Sequence, residues 1–243
     1  MHKTGLVIGK FYPPHAGHHH LISSAEAQSE HLTVIVCGRS IDIIPAKLRA
    51  EWLREIHPNV RVMVTSSDLL HNDHSVGWAE RTKEILGGSP DAVFTSEAYG
   101  IPYSAALGCK LVSEERDRIK FPVSGTIARH DPFSVWDHLD PVVREYFCIR
   151  VCMVGAESTG KTTISHALAQ HFQTNWVPEY GREYTEIQMQ KVSSMEEIVW
   201  GTKDFRQIAK VQREMEDDAA RISNRVLFCD TDAFATGIWH ERY

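Results

Sequence analysis

Gly5-Leu6-Val7-Ile8-Gly9-Lys10-Phe11-Tyr12-Pro13-Pro14-His15-Ala16-Gly17-His18 decides the fold of the first half of the chain. The apolar run Gly5–Gly9 reads as a buried strand, and the stretch from Gly17 to Glu30 as the helix that follows it. Small residues between the two elements let a backbone approach a phosphate closely. The helix N-terminus adds free N–H donors and a positive partial charge. Lys10, His15 and His18 bring further donors to the same turn. An ordinary strand–turn–helix with solvated histidines is the plainer reading of so short a pattern.

Outward from this stretch the pattern repeats. Leu32–Cys37 reads as a strand, Ala46–Ile56 as a helix, Val60–Thr65 as a strand, Val76–Leu86 as a helix and Ala92–Thr95 as a strand. A βαβαβ rhythm of this kind predicts an α/β fold with a doubly wound, Rossmann-like, mostly parallel sheet. Ligands of such sheets bind outside the carboxyl ends of the strands. Thr95-Ser96-Glu97 falls there, where it either touches nucleotide or caps a helix. Asp131–Tyr146 reads as a helical connector. The alternation then restarts with a strand at Ile149–Val154, a glycine-rich turn and a helix over Lys161–His171. A long helix is predicted from Ser194 to Ile222, with Ser194 and Glu197 as a capping box. Arg225–Cys229 reads as the last strand and ends at Asp230. These signals divide the chain into domains at 1–148 and 149–243, the second a partial P-loop NTPase α/β domain.

Composition limits the functions that such a chain can serve. With 42% hydrophobic and 24% charged residues, the chain is an ordinary globular one. A net charge of -6 and a pI near 6.1 argue against broad nucleic-acid binding, which usually needs a basic face. No apolar run approaches the ~18 residues of a membrane span, and the N-terminus lacks the signature of a signal peptide. The five cysteines are scattered and odd in number, without a C-x-x-C pair. That argues against a disulfide framework and a zinc site and points to a reducing, cytoplasmic compartment. Assembly into a homo-oligomer is compatible with this composition and not dictated by it.

A second segment, Ser124-Gly125-Thr126-Ile127-Ala128-Arg129, again reads as a helix start, with hydroxyl caps and Arg129 one turn in. G-K-F-x-P-x-H-x-G-H followed about a hundred residues later by S-G-T-x-x-R resembles the adenylyl and cytidylyl transferases. Among these it is most similar to nicotinamide mononucleotide adenylyltransferases. Ala128 departs from the Ile or Val usual before that arginine. The resemblance implies in-line attack of the nicotinamide mononucleotide phosphate on the α-phosphorus of ATP, with Mg²⁺ bridging the phosphates and pyrophosphate leaving. It implies that His15 and His18 bind the triphosphate, that Lys10 and Arg129 clamp its outer phosphates, and that Thr126 donates a hydroxyl. Gly9, Phe11, Gly17, Ser124 and Gly125 would complete the ATP site. Trp78 falls where an aromatic ring stacks on nicotinamide, although a core tryptophan would look the same. Ser96 and Glu97 would touch the acceptor nucleotide.

Gly155-Ala156-Glu157-Ser158-Thr159-Gly160-Lys161-Thr162 matches G-x-x-x-x-G-K-[ST] between a predicted strand and a predicted helix. Backbone N–H groups of such a loop cradle phosphates. Lys161 would reach the β- and γ-phosphates, Thr162 would ligate Mg²⁺, and Thr163 follows at the helix start. Asp230, at a strand end, suits a second metal-organising carboxylate, with Asp232 beside it. Glu179 and Arg182 are further kinase candidates. Together with the connector, these segments resemble the bifunctional NadR-type proteins, which join the adenylyltransferase to a ribosylnicotinamide kinase. The resemblance covers nearly the whole chain, with two departures. The first strand begins within a few residues of Met1, so a DNA-binding helix-turn-helix and a DNA partner are not expected. About three strands are counted after Arg150, where a P-loop kinase usually has about five and a lid, so weak or absent kinase activity is expected. Three alternatives stay open: a competent bifunctional enzyme, a transferase with another phosphorylated acceptor, and a non-catalytic nucleotide-binding regulator.

Overall fold

The computed structural model describes residues 1–68, 75–114 and 119–242. The chain divides into two compact units, Met1–Val143 and Arg144–Tyr243. In the first, β1 (His2–Gly9), α1 (Ala16–Ala27), β2 (Ser29–Gly38), α2 (Ala46–Ile56) and β3 (Arg61–Ser66) are followed by α3 (Ser75–Leu86), β4 (Ala92–Thr95), α4 (Gly100–Leu107), β5 (Lys110–Ser113) and α5 (Gly125–His130). The strands form one parallel sheet in the order β3-β2-β1-β4-β5. Strand order runs outward in both directions from β1. The crevice of a doubly wound sheet opens where the order reverses, at the carboxyl ends of β1 and β4. Gly9 and Thr95 end those two strands.

The strands read as continuous apolar runs because both faces of the sheet are covered. On one face Val7, Val34 and Val36 pack with Ile22 and Ala25 of α1 and Ala50 and Leu53 of α2. On the other, Leu6, Ile8 and Ile35 meet Ala79 of α3 and Tyr103 and Leu107 of α4. Successive residues of one strand therefore serve opposite cores, as the period of two requires. The doubly wound α/β expectation holds, with β5 and α4 added to the elements anticipated above.

The division between units falls within α6 (Pro141–Phe147). After it come β6 (Ile149–Cys152), α7 (Lys161–His171), β7 (Trp176–Val177), α8 (Tyr180–Met189), α9 (Thr202–Ile222), β8 (Val226–Cys229) and α10 (Ala233–Arg242). Among the described residues β6, β8 and β7 form a three-stranded parallel sheet in that order. Phe205, Ile208, Gln212, Glu216 and Ala220 make the buried stripe of α9 at helical spacing.

The helix predicted from Ser194 to Ile222 is broken. A 3-10 turn covers Met195–Glu197, and α9 starts only at Thr202. Gly201 is extended, at φ -134° and ψ 162°, and its N–H donates to Asp204 Oδ2 at 2.9 Å. Glycine costs about 1 kcal/mol inside a helix relative to alanine and costs little at its boundary, so the helix begins after it. Ser194 makes no side-chain cap, and Glu197 Oε2 accepts instead from the Ser193 N–H at 3.1 Å.

Candidate functional site

In the first unit, residues 10–15 connect β1 to α1 across the carboxyl edge of the sheet. Phe11 turns the chain with φ 45°, a left-handed conformation costing roughly 1–2 kcal/mol for a residue with a side chain. Its ring offsets this by entering the core beside Val7 and Ile22. His15 precedes α1 in extended conformation, and its carbonyl accepts the His18 and His19 N–H groups at 2.8 and 3.1 Å. The spacing i, i+3 then stacks the His15 and His18 rings, with centroids 3.7 Å apart. Phe11 meets the His18 ring edge-on at 5.1 Å. Lys10 is exposed at the end of β1.

The second segment docks onto this loop. Ser124 caps α5, its Oγ accepting the Ile127 N–H at 3.3 Å. A Cβ on Gly125 would lie 2.7 Å from the Tyr12 carbonyl oxygen, so only glycine allows this approach. Arg129 Nη1 donates to the same carbonyl, and its Nη2 donates to Thr126 Oγ1 at 3.3 Å. Ala128, where a larger side chain was the norm by resemblance, is fully buried. The loop carrying Lys10, His15, Gly17 and His18 and the helix carrying Thr126 and Arg129 are thus brought together, 117 positions apart at the Tyr12–Arg129 bond.

Ser96 and Glu97 follow β4 on the same edge. Ser96 is half-buried and Glu97 exposed, with the Glu97 N–H donating to Thr95 Oγ1 at 3.1 Å. Trp78 is half-buried and packs from α3 against the core of the α3/α4 face. Along α1 runs an open cleft of about 700 Å³, lined by His19, His20, His57 and His138 with Glu26 and Asp140. His19 Nδ1 lies 3.1 Å from His57 Nε2. Burial, then the neighbouring His57 and His15, hold His19 down to about 3, and burial also lowers His57. Among the described residues, no group of three or more His, Cys, Asp or Glu is placed to hold a metal ion.

In the second unit the P-loop joins β6 to α7, with residues 154–160 exposed. Ser158 and Gly160 take positive φ, 59° and 86°, which curls the backbone into the cradle. Lys161 Nζ donates to the carbonyls of Gly155 at 3.1 Å and Ala156 at 2.8 Å, and Thr159 Oγ1 donates to Ala156 at 2.8 Å. Glu157 and Thr163 are exposed. Because β6 pairs with β8 through Cys152 and Cys229, the residue after β8 lies beside the loop. That residue is Asp230, whose Oδ2 accepts the Thr162 hydroxyl at 2.6 Å. Its other oxygen is buried without a hydrogen-bond partner. Arg182 Nη2 lies 3.3 Å from Glu179 Oε2, 3.4 Å from Thr162 Oγ1 and 3.9 Å from Asp230 Oδ2. Asp232 stands apart in role: its Oδ1 accepts the Ala235 N–H at 2.8 Å and opens α10.

Two organising residues escaped the sequence reading. Arg49, fully buried on α2, pairs with Asp42 at 2.8 Å. It also donates to the carbonyls of Ile44, Cys37 and Lys10. Gln212 is buried on α9. Its Oε1 accepts the Tyr180 N–H at 2.9 Å and its Nε2 donates to the Thr231 carbonyl at 3.4 Å, tying the start of α8 to the loop after β8. A charged or amide residue on an apolar helix stripe was the available signal for both.

Residues 150–243 match the AAA domain family. Along 98% of its length the chain is similar to the trifunctional NAD biosynthesis/regulator protein NadR of Escherichia coli (strain K12), at 30% identity, and of Salmonella typhimurium, at 29%. It spans 62% of the length of each of these relatives. Two solved structures are similar at 25% identity. A NadR protein in complex with NAD and AMP-PNP superimposes with a TM-score of 0.77, over 98% of this chain and 72% of that one. A NadR protein in complex with NR gives 0.79, over 100% and 71%. Among the described residues no helix is long and apolar enough to cross a membrane.

Proposed function

We propose that the first unit transfers the adenylyl group of ATP to nicotinamide mononucleotide, giving NAD and pyrophosphate. The observation that supports this reading is the docking of α5 onto the β1–α1 loop at Tyr12, so that the helix carrying Thr126 and Arg129 lies against the loop that precedes His15 and His18 and follows Lys10. The similar protein crystallised with NAD and AMP-PNP adds support. An acceptor phosphate is already an anion, so no general base is needed. The residues must hold two anions together and neutralise charge that grows on the α-phosphoryl and the leaving group. His15 and His18 at the start of α1 take the triphosphate, where helix N–H groups also point. Lys10 and Arg129 approach its outer phosphates from two chain segments. Ser96 and Glu97 flank the acceptor across the crevice, and Trp78 offers it a ring. NAD formation from nicotinamide mononucleotide and ATP tests the reading; no product with this acceptor, beside turnover of another phosphorylated acceptor, rejects it.

A second reading, phosphorylation of ribosylnicotinamide by the P-loop unit, is favoured by the convergence of Thr162, Asp230 and Arg182. Thr162 and Asp230 are oxygen donors of the type that Mg²⁺ takes, and a buried carboxylate oxygen without a partner is costly unless a cation faces it. These residues would hold Mg²⁺ together with the phosphates, and the ion would neutralise charge on the transferring group. Lys161 would swing onto the β- and γ-phosphates, and Arg182 would stabilise the transferring phosphoryl. The NR carried by the other similar structure, read as ribosylnicotinamide, supports this acceptor. Incubation with ribosylnicotinamide and ATP separates the two activities. NAD made without added nicotinamide mononucleotide supports both; NAD made only with it leaves the transferase alone.

A further inference from the structure

The turn after β1 holds a side chain that the transferase reading does not use. Tyr12 touches three separate segments. Its hydroxyl accepts the Ile43 N–H at 2.9 Å, its carbonyl accepts Arg129 Nη1, and its ring carries two guanidinium groups. The Cζ of Arg49 lies 4.7 Å from the ring centroid and that of Arg129 lies 4.6 Å from it.

The two arginines differ in freedom. Arg49 is wholly buried and anchored through Nε, Nη1 and Nη2, to Ile44, to Cys37 and Lys10, and to Asp42. It forms a fixed surface under the tyrosine. Its charge is compensated by Asp42, so it does not cancel the attraction of the ring for a second cation. Arg129 is exposed on a six-residue helix. An arginine in that position would ordinarily spread over many rotamers, and ordering it on a substrate would cost side-chain entropy. Here the aromatic face, the Tyr12 carbonyl and Thr126 Oγ1 hold it before any anion arrives. These contacts use part of its five-donor fork and leave the rest to meet phosphate oxygens.

We propose that Tyr12 is a positioning residue: braced on Arg49, it sets the Arg129 guanidinium for the triphosphate, and an aromatic face is the property required of it. This rests on the adenylyltransferase reading. The linkage runs through the ring, so the hydroxyl is secondary and phenylalanine can replace tyrosine.

Steady-state NAD formation from nicotinamide mononucleotide and ATP by the full chain tests it. Tyr12→Leu is expected to lower kcat/KM for ATP by about tenfold, the order of a lost cation–π contact plus lost orientation. KM for nicotinamide mononucleotide stays unchanged, and Tyr12→Phe restores most of the loss. In an Arg129→Ala background, Tyr12→Leu adds no further loss, an outcome that general damage to the fold would not give. If Tyr12→Leu loses the native far-UV spectrum, Tyr12→Gln, of similar reach and without an aromatic face, replaces it in the same cycle. Full activity of the leucine or glutamine variant, equal damage by phenylalanine, or an undiminished further loss in the Arg129→Ala background overturns the proposal. Wild-type protein that makes no NAD removes the transferase reading itself, a result distinct from all of these.

Discussion

The two candidate phosphate sites are built on opposite plans. In the first unit, a loop after β1 and a helix 117 positions away share one carbonyl oxygen, and a buried arginine lies beneath them. In the second, eight consecutive residues curl around a site by themselves, exposed from Val154 to Gly160, with a carboxylate from the neighbouring strand. The difference concerns where orientation comes from. A contiguous loop carries its geometry in local φ values, such as those of Ser158 and Gly160. A site assembled from distant segments depends on tertiary contacts, and damage to any one of them should reach the chemistry.

That contrast can be broken most decisively at His18. His18→Ala is expected to lower adenylylation roughly 10²–10³-fold, the usual cost of one preorganised donor. Far-UV dichroism and the thermal midpoint should stay at wild-type values; near-normal turnover removes His18 from the mechanism. Arg49→Met comes next and acts on stability. It removes the buried cation beside Asp42, which keeps only Arg39, and takes a donor from three carbonyls, so the unfolding free energy from urea titration should fall by about 3 kcal/mol. A loss within a few tenths of a kcal/mol would mean that the buried arginine is dispensable. Gly125→Ala is smaller and more pointed. Its methyl meets a backbone oxygen that cannot rotate away, so α5 must shift, and kcat/KM for ATP should drop about tenfold. Gly160→Ala in the second unit has open space around the new Cβ, so its cost is confined to backbone strain, about 1 kcal/mol. Equal effects of the two substitutions on their own sites would erase the distinction between the plans.

Much of this was readable from the chain alone, for identifiable reasons. The apolar runs of β1, β2 and β4 face two cores at once, so they stand out without alternation, and the P-loop is a local signal. β5 and α4 were missed: Lys110–Ser113 is short and half-exposed, and Gly100–Leu107 has no clear polar face. The Ser194–Ile222 reading failed because Val199 and Trp200 continue an apolar rhythm that Gly201 interrupts. Tyr12 and Arg49 could not be recognised as partners. Nothing local marks a contact between positions 37 apart, and their significance exists only once α2 and α5 have closed on the same loop.

A pH dependence is also expected, and it arises in the first unit. His19 is held near 3 in the folded chain and returns to about 6.5 on unfolding. The unfolded state therefore binds a proton that the folded state refuses. The stabilisation is complete above pH 6.5 and is lost as pH falls from there towards 3, by at most about 1.4 kcal/mol per pH unit from this group. His57, lowered in the same sense, adds to the slope. Thermal midpoints measured from pH 7.5 down to 4.5 should fall steadily, and His19→Leu should flatten the decline. An unchanged slope would assign the acid sensitivity elsewhere.

Lys161 adds a consequence for how the second unit recruits its ligand. Its ammonium group already rests on two carbonyls of the loop that it serves, which braces the curl of the loop from within. An arriving polyphosphate does not have to capture a side chain from bulk water; it trades oxygen for oxygen within a few ångströms. On the kinase reading proposed above, the same short exchange would serve both the uptake of ATP and the release of ADP.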